Sequence, residues 1–289
     1  MSVIPEANMG NSGGEILRET MKLLNRELAD SMGSLTVERV TIGIFFTGVK
    51  LSNGSGGICF TPVKEIPEAV CCPSSAKAMP SAGRLKGRKV TTVLKEMRQR
   101  NPLKKAIGIA TMNALSSAYW DKHPPERYVI KKGVDAFDEL DIPDHAYVTV
   151  VGALVPIIKV LKKRGHRFSI LEMDKNTLKE DELEFYVPVK KATVAIGKAD
   201  ILVITGTTLI NDTLEGILKH AKPGANILLV GPTASMLPNA FFSRGISAIG
   251  GIIVTDPDKL LDVLAEGGSG YHFFEKSAHR VVIEKSIEA

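Results

Sequence analysis

The sequence predicts an α/β protein in two parts, an α+β unit followed by a Rossmann-like, doubly wound domain on a mainly parallel sheet. Three observations predict it. From about residue 144, five short apolar runs (AYVTVVG, RFSILEM, DILVITG, ANILLVG and ISAIGGIIV) alternate with helical or loop segments. Strands apolar along their whole length belong to a parallel sheet covered on both faces. Before that point the order differs: a helix, then β-rich runs around a Gly-rich turn, then two more helical patterns. Finally, a chain of 289 residues favours two modest cores over one large one.

The elements follow in order. EILRETMKLLNRELADSM reads as a helix, because Ile16, Leu17, Met21, Leu24, Leu28 and Met32 recur at steps of three and four. LTVERVTIGIFFTGVKL and GGICFTPV, rich in Val, Ile, Phe and Thr, read as strands joined through SNGSG, which suits a hairpin turn. PSSAKAMPSAGRLKG is punctuated as a loop. Helices are expected over 90–100 and 103–118, with Asn101-Pro102 ending the first and starting the second. KKGVDAFDELDIPDH reads as a linker, which gives a first domain at 1–130, a linker at 131–143 and a second domain at 144–289. Between the later strands lie ALVPIIKVLKKRG, a mixed segment at 175–199, TLINDTLEGILKHAKPG and a loop rich in Pro and Ser.

Composition excludes several classes. No apolar run approaches the ~20 residues of a membrane span, so no membrane association is expected. The start has neither a signal-peptide nor a transit-peptide pattern. Three cysteines, two of them adjacent at Cys71 and Cys72, make no disulfide framework. A cytoplasmic protein is expected. Of the charges behind the net +5, nine cations lie between Arg84 and Lys105 against one acid, Glu96. No aromatic residue interleaves with them for stacking and no nucleic-acid motif occurs, so a solvated face is expected rather than a nucleic-acid partner. Homo-oligomerisation is a general prior.

In open α/β sheets ligands bind beyond the carboxyl ends of the strands. After AYVTVVG only Gly152 is present where a dinucleotide fingerprint needs three glycines, which disfavours NAD and FAD. Glu172 ends the second strand, where a carboxylate can accept from ribose hydroxyls; the alternative is a solvated strand-end acid. After DILVITG, the residues Thr205, Gly206, Thr207, Thr208 and Asn211 offer hydroxyls, an amide and close backbone approach, although Thr and Asn also cap helices. After ANILLVG, Gly231 and Pro232 shape a turn carrying Thr233 and Ser235. Metal donors are few. Cys71-Cys72-Pro73 is not CxxC and the six histidines form no HExxH pattern, which leaves Cys71 and Cys72 as weak soft-metal candidates. GxSxG and the P-loop pattern are absent.

As a set, FTGVKLSNGSGGICFTP, AGRLKGRKV, NPLKKAIGIATMNALSS, ITGTTLINDTLEGIL and LVGPTASMLP resemble a two-domain prokaryotic family of unknown function named for "putative heavy-metal chelation". The resemblance covers nearly the whole chain. It implies an enolase-N-terminal-like α+β domain before the Rossmann-like one and a site in the cleft between them. It would put Thr205, Gly206, Thr207, Thr208, Asn211, Gly231, Pro232 and Thr233 on the cleft wall, with Asn113 facing them from the first domain. Lys50 and Arg84 are further candidates for an anionic ligand. The sequence departs from the family label in lacking a compact His/Cys/carboxylate constellation. The expected function is therefore to bind or process a metal, a metal-chelate or an anionic small molecule in the cleft. The alternatives are an enzyme using an adenosyl ligand such as S-adenosylmethionine, with Glu172 on the ribose, and a non-catalytic interaction module. Whether the chain is an enzyme is left open, because spacing locates no acid, base or nucleophile.

Overall fold

The computed structural model describes residues 14–66, 79 and 81–286. Helix α1 (Glu15–Glu27) and the short α2 (Ala29–Met32) replace the single helix expected there, with the break at Leu28. The first turn of α1 is held from far along the chain, where Glu215 Oε1 accepts from the Ile16 N–H at 3.0 Å. A carboxylate there meets the positive end of the helix dipole.

Strands β1 (Val37–Ile42), β2 (Phe46–Leu51) and β3 (Gly56–Phe60) form an antiparallel sheet in that order. SNGSG makes the second turn, while residues 43–45 divide the preceding run into two strands. Helices α3 (Val90–Glu96) and α4 (Pro102–Trp120) follow. Asn101 caps α4, its Oδ1 accepting from the Lys104 N–H at 2.9 Å, with Pro102 in the first turn. Fourteen of the nineteen residues of α4 are buried. Such a helix has neighbours all round: the sheet on one side, with α1 and α3 on others. A three-stranded antiparallel meander followed by helices makes this part the α+β unit that the sequence predicts.

The second part comprises β4 (Tyr128–Lys132), β5 (Tyr147–Val151), α5 (Val155–Arg164), β6 (Arg167–Leu171), β7 (Tyr186–Val187), α6 (Ala192–Lys198), β8 (Ile201–Thr205), α7 (Leu214–Lys219), β9 (Asn226–Val230), α8 (Asn239–Phe242), β10 (Ala248–Val254), α9 (Pro257–Ala265), α10 (Gly270–Phe273) and β11 (Ala278–Lys285). Its sheet runs β4-β11-β10-β9-β8-β5-β6-β7. The five apolar runs are parallel strands, as expected, and β11 is antiparallel to both β10 and β4. After β4 at one edge, the parallel part starts at β5, builds outward through β6 and β7, then returns to the other side of β5 with β8. The strand order therefore reverses between β5 and β8.

The segment expected as a linker, 131–143, contributes the end of β4, and its Ala136, Phe137 and Ile142 enter the core on one face of the large sheet. The core on the other face is continuous with the first domain, reaching from Ile16, Leu24, Val49 and Leu115 to Leu202, Ile204, Leu229 and Ile249. Helix α9 covers the face of the small sheet away from α4: a Cβ at Gly48 would stand 2.4 Å from Leu261 Cδ2. Among the described residues no helix is long and apolar enough to cross a membrane.

One ion pair in the first domain gives a pH-dependent prediction. Arg88 hydrogen-bonds Glu96 at 2.6 Å, both side chains being largely covered, and holds its carboxyl below the usual range. The native state therefore binds this proton less readily than the unfolded chain, whose Glu titrates near about 4.3. The pair stabilises above that pH and its contribution is lost as pH falls through the depressed native value. Glu96→Gln is expected to lower the urea midpoint at pH 7, and the difference from wild type should shrink in acid.

Candidate functional site

The turns after β5, β6 and β8 meet where the strand order reverses. Gly152 ends β5 with φ +99°, a conformation that L side chains rarely adopt. A Cβ there would also lie 2.7 Å from Thr205 Cγ2 at the end of β8. Thr205 Oγ1 accepts from the Thr207 hydroxyl at 3.2 Å and from the Thr207 N–H at 3.4 Å, and Thr208 Oγ1 donates to the Thr205 carbonyl at 2.7 Å. Thr205 and Thr207 stay partly exposed while Gly206 and Thr208 are buried. Glu172, one residue beyond β6, joins two of the turns: Oε2 accepts from the Ala153 N–H at 2.9 Å, and Oε1 from the N–H groups of Met173 (2.7 Å) and Asp174 (3.2 Å). Its carboxylate is thus engaged by backbone beside the Gly152 turn. Asn211 caps locally, Oδ1 accepting from the Thr213 hydroxyl at 2.7 Å, and its Nδ2 points at Met173 Sδ, 4.0 Å away.

The turn after β9 has a different role. Thr233 and Asn113 are buried, and their polar groups bind the two domains to each other. Thr233 Oγ1 accepts from the Phe60 N–H at 3.0 Å. Asn113 Nδ2, on α4, donates to the carbonyls of Ile58 (2.7 Å), Thr233 (3.1 Å) and Pro232 (3.2 Å). Farther along α4, Ser116 Oγ accepts from the Leu237 N–H at 3.1 Å, and Ser235 Oγ accepts from the Ile252 N–H at 2.8 Å. Gly206 packs beneath this turn, where a Cβ would be 3.2 Å from Thr233 Cβ. Gly231 supplies φ +120° at the turn's start.

The other sequence candidates separate. Lys50 Nζ is held by Glu38 at 2.9 Å and by Asp258 of α9 at 2.8 Å, so it faces α9 rather than the strand-end turns. Arg84 lies in an exposed turn. Cys71 and Cys72 lie outside the described residues. Among the ion pairs that link the domains, two that sequence reading missed reach the segments after β6 and β8. Lys64, after β3, reaches Asp174 at 2.7 Å and keeps that carboxyl below its usual range; Lys105 of α4 pairs with Asp212. Each spans more than a hundred residues, beyond the reach of any local pattern.

The donor set among the described residues does not fit a bare metal ion. Among the described residues no three His, Cys, Asp or Glu side chains come together to hold one. The Cys59 thiol is completely buried, which pushes its pKa far up, so the thiolate needed for ligation is suppressed.

The fold defines a two-domain α/β protein whose parallel sheet has a topological switch point between β5 and β8, with these turns at its carboxyl end. Residues 135–283 match the DUF364 family and residues 25–116 match DUF4213, both described as "Putative heavy-metal chelation". The chain belongs to the DUF364 family. An uncharacterized protein of Methanocaldococcus jannaschii is 30% identical over 178 residues, which are 59% of this chain and 62% of that relative. A DUF364 protein of unknown function from Pyrococcus horikoshii superposes with a TM-score of 0.73 at 18% identity, over 93% of this chain and 99% of that one. Another, from Desulfitobacterium hafniense, gives 0.68 at 18% identity, over 93% and 100%. At that identity the two structures establish the shared fold.

Proposed function

We propose that the chain binds a metal-chelate, or a comparable anionic organic molecule, in the crevice beyond the carboxyl ends of β5, β6 and β8. The protein contacts the organic part, and the metal keeps the ligand's own donor atoms. The observation that carries this reading is the meeting of the Gly152 turn, Thr205, Thr207 and Glu172 at the strand-order reversal. The family description supplies the metal, and the lack of a donor cluster among the described residues argues that it arrives already coordinated. Lys64 at the domain junction is the nearby cation of interest for an anionic group. A second reading, an enzyme using an adenosyl ligand, draws on Glu172 beside the Gly152 turn. It requires the carboxylate to exchange a backbone N–H for a ribose hydroxyl.

Thermal melts with nickel(II) alone, citrate alone, nickel citrate and S-adenosylmethionine separate the readings. Nickel citrate at about a hundred times its Kd is expected to stabilise by about 2.7 kcal/mol, raising Tm by about 5–10 °C for a chain of this size. Gly152→Ala is expected to abolish the shift, because the new methyl meets Thr205 and the turn must move. An equal shift with nickel alone would overturn the proposal. A shift confined to S-adenosylmethionine and lost in Glu172→Ala would establish the second reading.

A further inference from the structure

The stretch from Arg84 to Lys105 holds nine cations and one acid, while in the rest of the chain acids outnumber bases by 31 to 28. Charge is thus strongly segregated, and the fold sorts eight of the nine cations, all but Arg84, further. Arg88 and Lys104 share Glu96, and Lys105 pairs with Asp212. Lys86, Lys89, Lys95, Arg98 and Arg100 are exposed and take part in no ion pair among the described residues. Lys95 lies in the last turn of α3 and the other four flank the helix at its two ends; Lys89 to Arg98 spans about 13 Å at helical rise.

Helix stability accounts for only part of this. Lys95 and Arg98 stand at the carboxyl end of α3, where the dipole favours cations. Lys86 and Lys89 stand before its first turn, where the dipole opposes them. A cation at the wrong end of a helix, with no acid to neutralise it, does nothing for the fold and leaves a field directed at solvent.

We infer that this face docks an acidic segment of another protein. Charge complementarity selects the partner's sign. Two features favour a short acidic protein segment over nucleic acid: residues 81–105 contain no aromatic side chain on which a base could stack, and the net-acidic remainder of the chain repels an extended polyanion beyond the patch. The cations belong to α3 and its flanks rather than to the turns after β5, β6 and β8, and binding here does not depend on the ligand proposed there.

The test is fluorescence anisotropy of a short labelled peptide of alternating Glu and Ser, titrated with the full chain. The patch variant is Lys95→Glu/Arg98→Glu/Arg100→Glu. A control of equal net charge, Lys159→Glu/Lys190→Glu/Lys259→Glu, changes lysines that are exposed elsewhere. Circular dichroism melts check that both fold, and Lys86→Glu/Lys89→Glu substitutes for the patch variant if it does not. Binding at about 50 mM salt is expected, weakening about tenfold or more by about 300 mM as screening shortens, and about tenfold in the patch variant but hardly in the control. The inference is overturned by no binding at low salt, by equal losses in the two variants, or by a short DNA duplex that binds the same face more tightly than the peptide.

Discussion

Gly57→Ala is expected to destabilise the protein by about 3 kcal/mol, at the upper end of what one inserted methyl does in a packed core. A Cβ at residue 57 would lie 2.3 Å from the Ala110 carbonyl oxygen and 2.4 Å from the Ala114 nitrogen. Both are backbone atoms of α4, so no rotamer change relieves the contact. Strand β3 or the whole helix has to move by about 1 Å to restore van der Waals separation. The movement would also pull Ile58 from Asn113, one residue away. Tm should fall by about 6–12 °C, and the urea midpoint should fall with little change in slope. Gly33→Ala is the matched control: its φ is −72° and a Cβ there meets nothing within 4 Å, so no loss is expected. If Gly57→Ala melted like wild type, the close approach of strand and helix would be wrong.

Asn113→Asp is expected to be as damaging, by a different route. The amide nitrogen faces three carbonyl oxygens, while Oδ1 is buried without a partner. The donor side therefore carries the value of this residue. An aspartate presents only acceptors when ionised, setting a buried charge against three carbonyls and stripping each of its donor, at about 1–3 kcal/mol for each buried group left unpaired. The substituted carboxyl escapes by keeping its proton, so its native pKa rises above the unfolded value. The destabilisation should then be greatest at neutral pH and ease as pH falls toward the unfolded carboxyl pKa. Urea midpoints at pH 7 and in mild acid measure it. A pH-independent loss, or none, would remove Asn113 from its place as the tie between α4 and the turn after β9.

Five of the six parallel strands were legible in the sequence because they are largely buried and read as unbroken apolar runs; β7, two partly buried residues inside the mixed segment, was not. Strands β4 and β11 were not. YVIKK is short and ends in two lysines, and AHRVVIEK mixes charges with its valines, as strands near the edge of a sheet do. The turn between β1 and β2 was hidden in IGIFF, whose apolar residues, exposed at Ile44 and Phe45, mask the punctuation. The turn after β8 could be read as a candidate site from its threonines alone. The division of labour between the two hydroxyl-rich turns could not. Thr233 binds Phe60 and Asn113 binds Pro232 across more than a hundred residues, so a hydroxyl that looks available to a ligand is used in joining the domains. Alternation along β2 likewise left open which face Lys50 takes.

Strand β4 also determines where the chain can be cut. The stretches matched by the two family models leave residues 117–134 between them, and β4 falls in that gap while pairing residue by residue with β11. A fragment starting at residue 135 would carry an intact-looking Rossmann half with the β11 edge stripped of its neighbour, five residues of unsatisfied backbone free to recruit another molecule. A fragment starting before Tyr128 keeps its own protective border. Besides the apolar face that the first domain covers, the second half on its own thus has an edge guarded by a strand that lies outside the boundaries of either match.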